Sequence, residues 1–237
     1  MDLIRTSRAL ARDLAPLSFG DPVAHVYNPL DYARRPFERY ARRYATPGCP
    51  VLLIGMNPGP WGMAQTGVPF GEVTMARDWL NVEAPLAAPA DQHPARPIIG
   101  FACPRREVSG ARLWGWAKAR YRTPTRFFKH FFVANYCPLC FLEAGGRNRT
   151  PDKLPAREQA ALFDACDLAL RRTVAYLRPR FVVGVGAFAE GRARAALGGA
   201  DVTIGRILHP SPASPAANRG WARTMERQLR ALGVRLD

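Results

Sequence analysis

Four short apolar runs punctuate the chain: Val51 to Ile54, Phe131 to Tyr136, Phe181 to Val185 and Val202 to Leu208. Each is bounded by turn-forming residues and reads as a strand. Between them the apolar positions recur at helical spacing. A long helix is predicted from Pro155 to Arg178, with Leu162, Cys166, Leu170, Val174 and Leu177 on one face. Shorter helices are predicted over Ala111 to Tyr121, which carries Leu113, Trp114 and Trp116, over Gly186 to Leu197, and over Pro215 to Leu232 through Met225 and Leu229. Strands alternating with helices predict an α/β fold: one domain over residues 1–237, with a central four-stranded parallel sheet flanked by helices on both faces.

Residues 1–48 read as a helical segment packed on that domain. Phe37, Tyr40 and Tyr44 form an aromatic stripe suited to core packing, and Pro36 fits a first turn better than an interior. Thr74 to Asn81 reads as a short helix with Thr74 as its N-cap. Residues 83–97, rich in Pro and Ala, read as a loop, and Ile98 to Cys103 as a short extended segment.

Charge changes the picture. The 34 basic residues against 19 acidic ones give a net charge of +15, and only Lys118, Lys129 and Lys153 are lysines. An arginine-rich genome explains the choice of Arg but not the excess of positive charge. That excess predicts a polyanionic partner, because each neutralised phosphate releases counterions. No long helix has the basic and apolar faces of a lipid-bound segment, no apolar run is long enough to span a bilayer, and the first twenty residues lack a signal-peptide core. The expectation is a cytoplasmic monomer that binds nucleic acid rather than membrane. The five cysteines, Cys49, Cys103, Cys137, Cys140 and Cys166, imply no disulfide framework.

Three of the four strands end in a polar side chain beside turn residues: the first at Asn57, the second at Asn135 and the fourth at His209. In a parallel sheet the carboxyl ends share an edge, where ligands bind. Singly, an Asn in a Gly/Pro loop is a turn former and a His before Pro a structural hydrogen-bonder. Together they form a candidate site.

The residues around these strand ends carry a family resemblance. Gly55 to Glu72 (GMNPGPWGMAQTGVPFGE), Glu107 to Trp116 (EVSGARLWGW) and Phe132 to Glu143 (FVANYCPLCFLE) carry it, with Gly146 to Ala156 (GRNRTPDKLPA), Val182 to Leu197 (VVGVGAFAEGRARAAL) and His209 to Trp221 (HPSPASPAANRGW). They resemble the single-strand-selective monofunctional uracil-DNA glycosylases, family 3 of the uracil-DNA glycosylase superfamily, in a bacterial-type member. The resemblance implies a DNA substrate, single- or double-stranded, from which uracil or a 5-substituted uracil is flipped into a pocket and cleaved.

It also implies roles. Asn57 would place the water that attacks the deoxyribose, and His209 would stabilise the departing uracil anion. Asn135 would read the base edge, Phe70 would stack on its face, and Gly59 and Met63 would shape the pocket near the 5-position. Gly55 and Met56 would complete the base pocket. Pro210, Ser211, Pro212, Asn218 and Arg219 would belong to the loop entering the duplex.

Elementary chemistry agrees with those roles. A stacked base cannot be reached, so extrusion costs a few kcal/mol, recovered by stacking and edge hydrogen bonds. A preset donor facing the developing anion supplies about 3–4 kcal/mol. An amide cannot take a proton as a carboxylate can, so Asn57 orients water without acting as a strong base. Cutting the strand afterwards needs an amine, and the three lysines lie outside the strand-end motifs, so an abasic product without lyase activity is expected.

Relatives carry a basic residue after HPSP, where this chain has Ala213 and Ser214, with Arg219 in the same loop. Trp61, beside the pocket loop, is either a packing residue or a selector of the base. Cys137 and Cys140 form a CxxC, but no second pair accompanies it and no acidic cluster is evident, so neither metal nor cofactor is expected. Glu72 and Glu107 are expected to hydrogen-bond the loops. Two other functions fit less well: excision of xanthine or hypoxanthine, and damage binding without catalysis.

Overall fold

The computed structural model describes residues 1–236. The chain begins with α1 (Leu3–Leu14), β1 (Val23–Tyr27), α2 (Pro29–Tyr32), α3 (Arg34–Tyr44), β2 (Val51–Gly55) and α4 (Met63–Thr66). It continues through α5 (Val108–Tyr121), α6 (Pro124–Phe128), β3 (Phe131–Asn135), β4 (Cys140–Glu143), β5 (Asn148–Arg149) and α7 (Ala156–Leu177). It ends with β6 (Phe181–Val185), α8 (Ala187–Ala196), β7 (Thr203–Ile207), α9 (Pro215–Asn218) and α10 (Trp221–Ala231).

The four predicted strands form one parallel sheet in the order β3-β2-β6-β7. Its register pairs Val51 with Phe131 and Phe181, and Phe181 with Thr203. β2 and β6 are buried along their whole length, as central strands covered on both sides should be. Alternation along the strands divides the helices between the faces. Gly184 packs so closely on α8 that a Cβ would lie 2.3 Å from the Glu190 nitrogen, while on the opposite face a Cβ at Gly205 would meet Leu232, at the end of α10. Likewise Phe131 meets Trp116 of α5, whereas Phe132 meets Tyr40 of α3. α1 packs on α7, with Leu3, Leu10 and Leu14 buried in the core.

A second sheet, β1-β4-β5, was not predicted. Its pairing is antiparallel and joins segments more than a hundred residues apart, Tyr27 opposite Cys140. Three local expectations are corrected. Thr74 makes no capping bond; Glu72 accepts from Met75 N at 2.9 Å, and the following turn widens to i+5 bonding, Leu80 N to Met75 O at 2.9 Å. Ile98 to Cys103 is not extended: Gly100 takes φ 69° and Gly100–Ala102 coil into a 3₁₀ turn around the Gln65 side chain. The last helix is two helices, because Gly220 at φ 110° breaks it between α9 and α10. Pro36 does lie in the first turn of α3, which starts at Arg34.

Candidate active site

The ends of β2 and β3 meet at the carboxyl edge. Gly55 and Asn135 are register partners at the carboxyl edge, and their side-chain positions face the same side of the sheet. A Cβ at Gly55 would lie 2.4 Å from Asn135 Oδ1 and 2.6 Å from the Phe70 ring. Only glycine lets these two side chains close over the strand end. The Asn135 amide nitrogen reaches Met63 Sδ at 3.3 Å, and Met63, at the start of α4, is almost fully buried.

Phe70 is held from both ends. It takes the left-handed backbone conformation, φ 53°, and its carbonyl accepts from Glu72 N at 2.8 Å. That carbonyl sits where a Cβ on Gly110 would fall, 1.9 Å away. The first turn of α5 therefore needs glycine to dock against Phe70. Glu107 caps the same turn through Ser109 N at 3.1 Å and Gly110 N, and burial raises its carboxyl pKa above the usual value, against the lowering by those bonds. Its aliphatic part fills the space at Gly62, where a Cβ would be 2.8 Å from Glu107 Cγ. Glu72 and Glu107 thus serve the loops, as expected.

Asn57 follows the strand end by two residues and is half-buried. Its amide nitrogen donates to Leu139 O at 3.2 Å and lies 3.5 Å from Pro58 O. Since a carbonyl can only accept, this fixes which end of the amide carries nitrogen and leaves Oδ1 as an acceptor. Pro58 O is held in turn by Asn148 Nδ2 at 3.2 Å, so the small antiparallel sheet braces the loop. Met56 supplies its carbonyl to Cys137 N at 2.9 Å. At Gly59 a Cβ would come no nearer than 4.0 Å to Glu107, so packing does not demand glycine there.

His209 faces Phe70, with ring centroids 6.1 Å apart, and rests on Gly186 after β6. Its Nδ1 accepts from Ser211 N at 3.1 Å. A nitrogen that accepts carries no proton, so the neutral ring carries its hydrogen on Nε2. Burial lowers the His209 pKa from 6.5, which keeps the ring neutral at pH 7 and makes Nε2–H a fixed donor. The preceding residue is anchored on both backbone groups: Leu208 N donates to Gln228 Oε1 at 2.7 Å and Leu208 O accepts from Trp221 Nε1 at 2.6 Å.

Arg112, on α5, completes this anchorage and was not singled out from the sequence. It donates to Pro210 O at 3.0 Å and to Asn218 Oδ1 at 2.8 Å. Asn218 Nδ2 donates to Pro212 O at 2.9 Å, so its side chain stabilises the loop itself. Pro210 is buried, Ser211 half-buried, and Pro212, Ala213 and Arg219 are exposed. The signal that could have found Arg112 is its place, one turn after the Glu107 cap, on the helix that docks on Phe70.

Chemically the site offers a fixed neutral donor at His209, an acceptor at Asn57 on an immobile amide, and an amide beside an aromatic wall. Such a set suits hydrolysis that leaves an anion on a planar group. The nearby cysteines are structural: Cys137 Sγ accepts from Leu139 N at 3.4 Å, and burial pushes the Cys140 thiol up to about 12. Among the described residues no three His, Cys, Asp or Glu side chains are grouped to hold a metal ion.

Residues 42–231 match the family model described as the uracil DNA glycosylase superfamily. The chain belongs to the uracil DNA glycosylase superfamily. Within it, the chain belongs to the single-strand selective monofunctional branch. It is 50% identical over 227 residues to the single-strand selective monofunctional uracil DNA glycosylase of Mus musculus, covering 95% of this chain and 81% of that one. The Bos taurus protein of the same name is 49% identical over 224 residues, covering 94% and 82%. In fold, the chain is similar to the crystal structure of SMUG2 from Pedobacter heparinus, with a TM-score of 0.69, 16% identity, and 98% and 97% of the two chains covered. No helix among the described residues is long and apolar enough to cross a membrane.

Proposed function

We propose that the protein removes uracil from DNA by hydrolysing the N-glycosidic bond, leaving an abasic site. The observation that carries this reading is the tautomer of His209. Its Nδ1 is occupied by Ser211 N, its ring is neutral, and Nε2–H is therefore preset for the O2 of a departing uracil. As the bond to C1′ stretches, negative charge gathers on the base and positive charge on the sugar. The His209 donor meets the first without proton transfer. Asn57 Oδ1 accepts from a water and aims it at C1′, and the proton is lost to solvent after the bond has largely broken. Asn135 reads the base edge with its amide while Phe70 packs on the base face.

The family name supports uracil as substrate. The space at Gly59 supports tolerance of a 5-substituent such as hydroxymethyl, since no packing demand explains glycine there. Lys118 lies two helical turns beyond the docked end of α5, about 12 Å at the usual rise, and Lys129 precedes β3 at the opposite edge of the sheet. The placement of these two lysines supports a monofunctional enzyme.

The test is release of base from oligonucleotides carrying uracil, 5-hydroxymethyluracil, xanthine or thymine, single- and double-stranded. Uracil and 5-hydroxymethyluracil should be released and thymine retained. Asn57→Ala should slow single-turnover release of uracil by about 10²-fold, within the range of positioned acid–base groups, with the melting temperature unchanged. Retention of most of the rate would reject the role given to Asn57.

A further inference from the structure

Trp61 packs against the core with only part of its ring. Its indole lies two residues before Met63, the residue bonded to Asn135, and is half-buried on the rim of the pocket loop. Two guanidinium groups lie over this one ring: Arg96 Cζ is 5.2 Å from the ring centroid and Arg105 Cζ is 5.5 Å. Neighbouring carboxylates are committed elsewhere. Asp91 binds His25, Glu143 binds Arg147 and Arg149, and Glu107 caps α5.

Arg96 Nε is buried without a hydrogen-bond partner, and its Nη1 donates only to Ala95 O at 2.8 Å. Arg96 is wedged against the turn between β4 and β5, where a Cβ on Gly146 would lie 3.4 Å from its Cζ. Arg105 is exposed. Two like charges gathered on one indole repel each other, and an anion relieves that repulsion. The flat ring restricts both side chains, so little rotamer freedom is left to lose on binding.

We propose that Trp61, Arg96 and Arg105 form a phosphate-binding site for the DNA strand that carries the excised base, with Arg105 making the direct contact. This rests on the DNA-substrate reading above. It gives the chain a backbone contact on the pocket-loop side of the site, opposite the loop in which Ala213 and Ser214 replace a basic residue. Trp61 aligns the contact and does not select the base.

The test measures binding of a single-stranded oligonucleotide whose one uridine carries a 2′-fluorine, which opposes positive charge on the sugar and slows cleavage. Affinity is followed from low to high salt. Arg105→Gln should weaken binding about fivefold and make the salt slope shallower by about 0.7, the value for one single-strand phosphate. Each phosphate within three nucleotides of the uridine is then replaced singly by neutral methylphosphonate. One position should weaken the wild type, and that penalty should vanish in Arg105→Gln.

Arg126→Gln, on α6 near the amino end of β3, is the control for bulk charge and should leave the slope unchanged. An unchanged slope in Arg105→Gln, an equal loss in Arg126→Gln, or a methylphosphonate penalty that persists in Arg105→Gln would each overturn the proposal. Failure of the wild type to release uracil from an unfluorinated oligonucleotide would reject the glycosylase reading instead, and the binding result would stand apart from it.

Discussion

The two loops that meet at the carboxyl edge are held by opposite means. The loop from Gly55 to Glu72 is locked by close packing and a saturated amide. Gln65 is fully buried and donates to Pro60 O at 2.9 Å and Pro97 O at 3.0 Å, while accepting from Ile99 N at 2.9 Å and Gly100 N at 3.0 Å. That is the full capacity of a side-chain amide. The loop from His209 to Gly220 is largely exposed and hangs from a few long side chains, Arg112, Trp221 and Gln228. The half that carries Asn57 cannot yield without losing its core. The half that carries His209 can be released one tether at a time.

Gly55→Ala should break the locked half most severely. The new methyl would sit 2.4 Å from Asn135 Oδ1 and 2.6 Å from the Phe70 ring, and neither can retreat, because Phe70 is fixed at Gly110 and Asn135 at Met63. Overpacking of this kind destabilises by about 1–3 kcal/mol. For a chain of this size that lowers the melting temperature by several degrees, about 2–4 °C per kcal/mol. Uracil release should fall with it, by more than about 10²-fold, since both walls of the proposed base pocket shift. Calorimetry and single-turnover assays on one preparation check both. A variant with normal Tm and normal rate would show that this half is not locked.

Arg112→Ala should have a smaller and different effect. It removes the bonds to Pro210 O and Asn218 but leaves Leu208 held by α10. The donor nitrogen of His209 then loses part of its orientation. The rate of the chemical step should drop about tenfold, equivalent to ~1.4 kcal/mol. The Tm should move by only a few degrees and KM for DNA little. Arg112→Lys should recover part of the rate, because one ammonium can still reach one carbonyl. A rise in KM alongside the fall in rate, with no rescue, would mean that Arg112 contacts DNA.

How much of this was legible in the sequence follows from the range of each interaction. The parallel strands were legible because apolar runs between turn residues announce themselves locally, and the strand-end residues Asn57, Asn135 and His209 came with them. The β1-β4-β5 sheet was not, since VAHVY at Val23–Tyr27 is short and finds its partner far along the chain. Arg112 escaped for the same reason: its acceptor at Pro210 is 98 residues away, and nothing in EVSGARLWGW marks one arginine as a tether. The split at Gly220 was hidden by helical spacing that continues through it. The corrected turn at Gly100 is dictated by the buried Gln65 amide, a contact made only after folding. The occupied Nδ1 of His209 was also invisible, although it decides what that residue can do.

That nitrogen supplies the smallest expected effect. Protonated His209 would carry hydrogens on both nitrogens and could no longer accept from Ser211 N. The loop tie and the donor geometry would be lost together. Burial lowers the folded-state pKa below 6.5, so the sign is fixed. As pH falls through the ordinary histidine range, the unfolded chain takes up a proton that the folded chain refuses. The His209 contribution to stability is therefore complete above pH 6.5 and declines on acidification until the folded pKa is passed. Uracil release should likewise hold its plateau through pH 6.5 and fall only at lower pH. His209→Asn keeps a donor that does not titrate, so its lower plateau should lack that acidic limb. If the limb persists unchanged in His209→Asn, the titrating group is not His209, and the contrast between a locked loop and a tethered one would have to rest on Arg112 alone.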